Sequence, residues 1–185
     1  MYELIVIGVS AGGMQALSRL LPALPDDYKI PVAIVQHISA NNNNDYLPSY
    51  YSRICQLPVS WASPAMPINE GHIYFAPPGY HLLVESDRTF NLSVDDWVNH
   101  SRPSIDVLFD SAADVFREKL VSAILTGASS DGSKGLRNIK NHNGLILVQD
   151  PEEAEVDTMP RAAIETVGVD KTFSLNELKL LLMDL

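Results

Sequence analysis

The sequence predicts an α/β fold: a mainly parallel, doubly wound sheet with helices on both faces and an antiparallel hairpin or meander at one edge. Three observations predict it. Short runs rich in Ile, Val and Leu alternate with helical patterns, as expected of strands buried on both faces. The segment from about His72 to Val94, "HIYFAPPGYHLLVESDRTFNLSV", interrupts that alternation with short runs broken by Pro77-Pro78-Gly79 and Ser86-Asp87. And 185 residues, 46% of them hydrophobic, suffice for one domain, 1–185, whose core needs no covalent staple.

In chain order, Leu4–Val9 is an apolar run and reads as the first strand, followed by a glycine-rich turn and a helix near Met14–Leu21. Val32–His37 reads as the second strand, Asn41–Asn44 as a polar loop and Asp45–Ile54 as a helix. After the meander come a helix near Ser104–Glu118, a strand at Val121–Thr126, a helix near Gly132–Asn141 and a strand at Leu145–Gln149. "SLNELKLLLMDL" closes the chain as an amphipathic helix, with Ser174 as N-cap and Glu177 three residues on to complete a capping box.

Composition excludes several classes. Cys55 is the only cysteine, so no intrachain disulfide can form, which fits a reducing compartment. Glu3 interrupts the N-terminus and no basic segment precedes an apolar run, so no signal peptide is read there. No apolar run approaches the ~20 residues that span a bilayer, so membrane insertion is not expected and a cytoplasmic location is. A net charge of −10 disfavours nucleic acid as a partner. No histidine pair has metal-ligand spacing on a helix and no cysteine pair exists, so neither a metal nor a cofactor is expected. Cys55 itself reads as a small buried hydrophobe.

The turn "GVSAGG" after the first strand has three readings. A dinucleotide fingerprint would want glycine where Ser10 stands, and an acidic residue at the end of the second strand, which instead ends in Gln36-His37. A plain βα turn would use the glycines for tightness and Ser10 as a helix cap. A nucleophile elbow would use Gly8-Val9-Ser10-Ala11-Gly12, a literal G-x-S-x-G between strand and helix. It would expose the hydroxyl above the sheet edge, next to a helix N-terminus able to hold an oxyanion.

A serine hydroxyl needs a base. Among His37, His72, His81, His100 and His142, only His37 ends a predicted parallel strand, where ligands of open α/β sheets bind. His72 and His81 flank the first run of the meander and read as structural imidazoles, while His100 and His142 fall in polar loops. The base in turn needs a carboxylate to fix its tautomer. Asp131 and Asp150 both follow parallel strands. Asp131 starts a glycine-flanked helix, whose dipole would keep it ionised, and is preferred. Asp150 opens an acidic loop. The expected geometry has Asp131 accept the Nδ1 proton of His37 while Nε2 faces Ser10.

"VIGVSAGG", "VQHIS", "GHIYFAPPGYHLL", "SRPSIDVLFDSAA", "LTGASSDGSKGL" and "VQDPEEAEVDTMPRAAIE" stand in this order along the chain. Together they resemble the catalytic domain of the chemotaxis protein-glutamate methylesterase family, CheB. The family's nucleophile, base and third triad member fall on Ser10, His37 and Asp131. The resemblance implies hydrolysis of γ-glutamyl methyl esters on a methyl-accepting chemotaxis receptor or related signalling protein, and in some members deamidation of glutamine. Backbone groups at Ala11, Gly12, Gly127 and Ala128 are the expected oxyanion donors or site lining. Arg53, Arg102 and Arg161 are expected at the mouth, docking an acidic receptor segment. The receiver domain that usually precedes these motifs in the family is not read in this sequence: either the chain is a fragment, or it belongs with stand-alone members, whose wording "SAGG" and "VQDPE" it resembles. A serine esterase with another ester substrate, or a docking module without activity, remain alternatives.

Overall fold

The computed structural model describes residues 1–37 and 46–185. The elements are β1 (Leu4–Val9), α1 (Gly13–Leu20), β2 (Val32–Gln36), α2 (Tyr46–Tyr51), β3 (Val59–Trp61), β4 (Met66–Pro67), β5 (Ile73–Phe75), β6 (His81–Val84), β7 (Thr89–Ser93), α3 (Ile105–Phe116), β8 (Leu120–Ile124), α4 (Ser133–Asn141), β9 (Leu145–Val148), α5 (Thr158–Val167) and α6 (Leu175–Met183). The Asn41–Asn44 loop, and Asp45 at the expected start of the second helix, lie outside the described residues.

A six-stranded parallel sheet runs β3-β5-β2-β1-β8-β9. Alternate residues of the central strand β1 serve two cores. Leu4 and Val6 join a cluster with α3, α4 and α5, while Ile5, Ile7 and Val9 join one with α1, α2 and α6. This is why the central strands are apolar without alternation: both faces are covered. The chain leaves β1 to one side for β2 and returns to the other side for β8, so the carboxyl ends of these three neighbours open on one crevice.

The meander divides in two. β6 and β7 form the expected antiparallel hairpin, joined by β4 in a separate three-stranded sheet that packs on α3. Ile73–Phe75, read as its first run, belongs instead to the parallel sheet between β2 and β3. All three of its residues are buried, the signature of an interior strand, but three residues are too few to show a period. The second helix stops at Tyr51 rather than Ile54. The sequence reading names no element at α5; Pro160 sits in its first turn, where its missing N–H costs nothing. α6 carries the expected capping box, with Ser174 Oγ accepting from Glu177 N and Ser174 N donating to the Glu177 carboxylate.

Candidate active site

Ser10, His37 and Asp131 follow β1, β2 and β8. Val9 pairs with Gln36 across β1 and β2, and His37 N–H donates to Val9 O at 3.0 Å, so His37 leaves its strand beside Ser10. Ser10 is tied on its other side, its N–H donating to Thr126 O at 3.0 Å. The turn then closes through Gly13 N–H on Ser10 O, with Gly12 at φ 78. A side chain at Gly12 would be strained in that left-handed backbone. Gly127 is required for a different reason: a Cβ there would lie 1.9 Å from Met159 Sδ and 2.9 Å from Ser10 Cβ. Ser10 is half-buried, and its Oγ has no hydrogen-bond partner among the described residues.

His37 Nε2 lies 2.9 Å from Asp131 Oδ2. An ionised carboxylate only accepts, so Nε2 is the donating nitrogen of this pair and Nδ1 is the nitrogen left to face elsewhere. This reverses the expected orientation of the ring. A nitrogen's direction depends on side-chain torsions, which strand pattern does not encode.

Asp131 is 1% exposed and its carboxylate is ringed by donors. Oδ2 also accepts Ile105 N–H at 2.6 Å, and Oδ1 accepts Ser104 Oγ at 2.8 Å and Asn99 Nδ2 at 2.9 Å. Asp106 N–H and Gly132 N–H reach Oδ1 at 3.2 and 3.1 Å. Burial, the strongest single influence, pushes the carboxyl up. The hydrogen bonds from His37, Asn99, Ile105 and Ser104 together outweigh it and hold the group below its ordinary 3.8. The helix end that Asp131 serves differs from the expected one. Gly132 is the N-cap of its own helix α4, and Asp131 instead satisfies the first N–H groups of α3. Asp106 lies next to it, with burial and the Asp131 charge raising its carboxyl. Asn99 Nδ2 donates to both acids, reaching Asp106 Oδ2 at 2.7 Å and Asp131 Oδ1 at 2.9 Å. His81 accepts Ser104 N–H on Nδ1 and donates from Nε2 to Asp96 O. It is a structural imidazole, as read, as is His72 on Ser60 and Tyr74. His100 is exposed, and His142 bonds Asn138 O from a helix end.

The other nominated residues divide. Ala11 and Ala128 are exposed, and the N–H groups of Ala11 and Gly12 have no backbone partner among the described residues. Gly127 lines the site, but its N–H donates to Val156 O at 2.9 Å and is not a free donor. Arg102 is not a free cation: Nη1 donates to Val94 O and Asp95 O, and the guanidinium stacks 5.6 Å from Trp97. Arg161 is paired with Asp157 and Glu152. Arg53 is exposed and has no ion pair among the described residues. Asp150 holds its loop by accepting Glu152 N–H at 3.0 Å, and among the described residues His37 bonds Asp131 rather than Asp150. Burial pushes the Cys55 thiol up to about 11, which leaves it unreactive. Among the described residues no cluster suits a metal ion, and no helix is long and apolar enough to cross a membrane.

Sequence reasoning missed Asn99, Ser104, Asp106 and Thr126. Thr126 Oγ1 donates to Ala11 O at 2.8 Å and accepts Val156 N–H at 2.9 Å, tying the Ser10 turn to the loop after β9. A shallow cleft of about 280 Å³ opens beside Ser10, lined also by Gly12, Gly13, Met14, Gln15, Gln36 and Glu155.

The family model described as CheB methylesterase matches residues 5–182. A putative protein-glutamate methylesterase/protein-glutamine glutaminase of Leptospira interrogans is 49% identical over 177 residues, covering 96% of this chain and 91% of that protein. A protein-glutamate methylesterase/protein-glutamine glutaminase 2 of Anaeromyxobacter dehalogenans is 37% identical over 183 residues, 99% of this chain but 53% of its own length. The crystal structure of the Thermotoga maritima CheB methylesterase catalytic domain matches at a TM-score of 0.94 and 29% identity, over 100% of this chain and 98% of that one.

Proposed function

The chain belongs to the CheB methylesterase family, and from that premise we propose that it is a protein-glutamate methylesterase. As one catalytic domain, it hydrolyses γ-glutamyl methyl esters on a chemoreceptor or related signalling protein in the cytoplasm. Ser10 is the nucleophile, His37 the base and Asp131 the group that fixes the imidazole. Ser10 Oγ attacks the ester carbonyl as His37 Nδ1 takes its proton, and the imidazolium that forms is stabilised by Asp131 through Nε2. The oxyanion is held by N–H groups at Ala11 and Gly12, at the positive end of α1. Collapse breaks the C–O bond, and His37 returns the proton to methanol. Water then attacks the glutamyl-enzyme, again through His37, releasing glutamate and regenerating Ser10. A glutamine side chain follows the same path with ammonia as leaving group, in keeping with the second activity named for the relatives.

The observation that carries this reading is the 2.9 Å His37–Asp131 bond, made to a buried carboxylate kept ionised beside a serine on a glycine turn. Methanol release from methylated receptor membranes, set against hydrolysis of a generic acyl ester, tests it. A serine-directed phosphonate is expected to label Ser10 alone. Label on another serine, with Ser10→Ala still active, would falsify the assignment.

A further inference from the structure

The acidic loop after β9 is engaged almost throughout. Asp150 accepts Glu152 N–H, Glu152 and Asp157 both bind Arg161, and Glu153 accepts Leu175 N–H. Glu155 differs: its carboxylate has no hydrogen-bond or ion-pair partner among the described residues. It is also the acidic residue of this loop that lines the cleft beside Ser10. Its Cβ and Oε2 press on Gly12, lying 2.7 and 3.0 Å from where a Cβ would stand. The same cleft is lined by Gln36, 5% exposed, whose carboxamide Oε1 is buried without a partner among the described residues. Buried polar atoms in folded proteins are rarely left unmatched, and those that are call for an explanation.

We propose that Glu155 and Gln36 make this cleft a charge filter, which admits the neutral glutamyl ester or amide and expels the glutamate carboxylate that hydrolysis leaves behind. The inference rests on the methylesterase reading. The first turn of α1 alone would attract an anion, through its free N–H groups and its dipole. The product, a carboxylate, would therefore stay. Glu155 offsets that positive end with a charge of its own. Gln36 Oε1 adds lone pairs, which an ionised carboxylate, having acceptors only, cannot satisfy. Two like charges sharing so small a cleft at a protein surface weaken binding by about tenfold.

The test uses a receptor fragment bearing γ-methyl esters and the same fragment demethylated. KM is measured for the first and the inhibition constant Ki for the second, with wild type, Glu155→Gln and Glu155→Asp, across a salt series. The ratio Ki/KM is expected to fall about tenfold in Glu155→Gln and to stay near wild type in Glu155→Asp, which keeps the charge. In wild type the ratio is expected to fall as salt rises, since salt screens the repulsion. A ratio unmoved in Glu155→Gln overturns the filter. Should that variant fail to fold, a salt-independent ratio in wild type overturns it equally. Failure of wild type to release methanol from the methylated fragment would sink the methylesterase reading, and the filter with it. Methanol release with an unmoved ratio would sink the filter alone.

Discussion

The two ends of the parallel sheet make opposite use of their charges. The larger cavity, about 640 Å³, lies at the amino ends of the strands, among Tyr2, Glu3, Lys29, Arg88 and the C-terminal residues. One of its carboxylates, Glu3, meets Arg88 at 2.8 Å and Lys119 at 2.5 Å, with both cations about half exposed to solvent. At the carboxyl ends the cleft is less than half that size, yet Asp131 there is wholly withdrawn from water and accepts hydrogen bonds from two side-chain amide or hydroxyl groups, three backbone N–H groups and an imidazole. Volume therefore does not mark the end where the chemistry is proposed. A polar group taken out of water and held by many donors does, because only such a group is both costly to place and fixed in orientation.

The sharpest test of the contrast is Ser10→Ala. It is expected to lower turnover by about 10⁴-fold or more while leaving thermal unfolding unchanged. Retained activity would move the chemistry away from the carboxyl ends. Asp131→Asn comes next, with turnover reduced by about 10²–10⁴-fold, by analogy with a wrong-tautomer substitution in a comparable triad. Unlike Ser10→Ala, it is also expected to destabilise the fold by about 2–3 kcal/mol at neutral pH, since charged acceptors make the stronger hydrogen bonds.

The pH dependence of that stability gap is fixed by the direction of the Asp131 shift. Its folded-state carboxyl sits below the ordinary 3.8, so the stabilisation is complete above that value and is lost as pH falls through the lower folded-state value. Wild type and Asp131→Asn should therefore converge in unfolding experiments carried into acid. A gap constant with pH would show that the carboxylate's charge is not the source.

Asn99→Ala removes the amide shared by the two acids, and about a tenfold fall in kcat with little change in KM is expected. Asn99→Gln, if it regains the bridge, should recover part of the loss. Asp150→Asn, on the neighbouring strand end, should change little. The smallest effect belongs to the amino end: Glu3→Gln should alter stability by less than about 1 kcal/mol and leave turnover untouched. A large catalytic effect there would dissolve the contrast.

Ser10, His37 and Asp131 were legible as neighbours in one crevice because Ser10 and His37 directly follow strands of unmistakable pattern, and Asp131 lies in the loop between a third such strand and its helix. Strand order then needed only the parallel alternation to bring them to one crevice. Asn99, Ser104 and Asp106 were not legible, since their part depends on the 94–104 loop folding back over the end of β8, a tertiary approach with no local signature. The same holds for Arg102 and Arg161. Their charge shows in sequence, but the carbonyls and carboxylates that occupy them do not. β3 and β4, of three and two residues, are too short to carry a period.

The seating of Asp131 on the first turn of α3 bears on how this chain can change by mutation. Active-site groups are commonly a burden on the fold, so their loss is tolerated or even stabilising. Here the acid that orients the imidazole also joins a helix to the sheet, so drift at that position is purged for foldability even where no ester is ever cleaved. The serine carries no such second duty, because its hydroxyl bonds nothing in the described chain. A descendant that abandoned hydrolysis for a purely associative role would shed the hydroxyl early and keep the aspartate, and an intact aspartate in a related sequence is therefore weak testimony to activity.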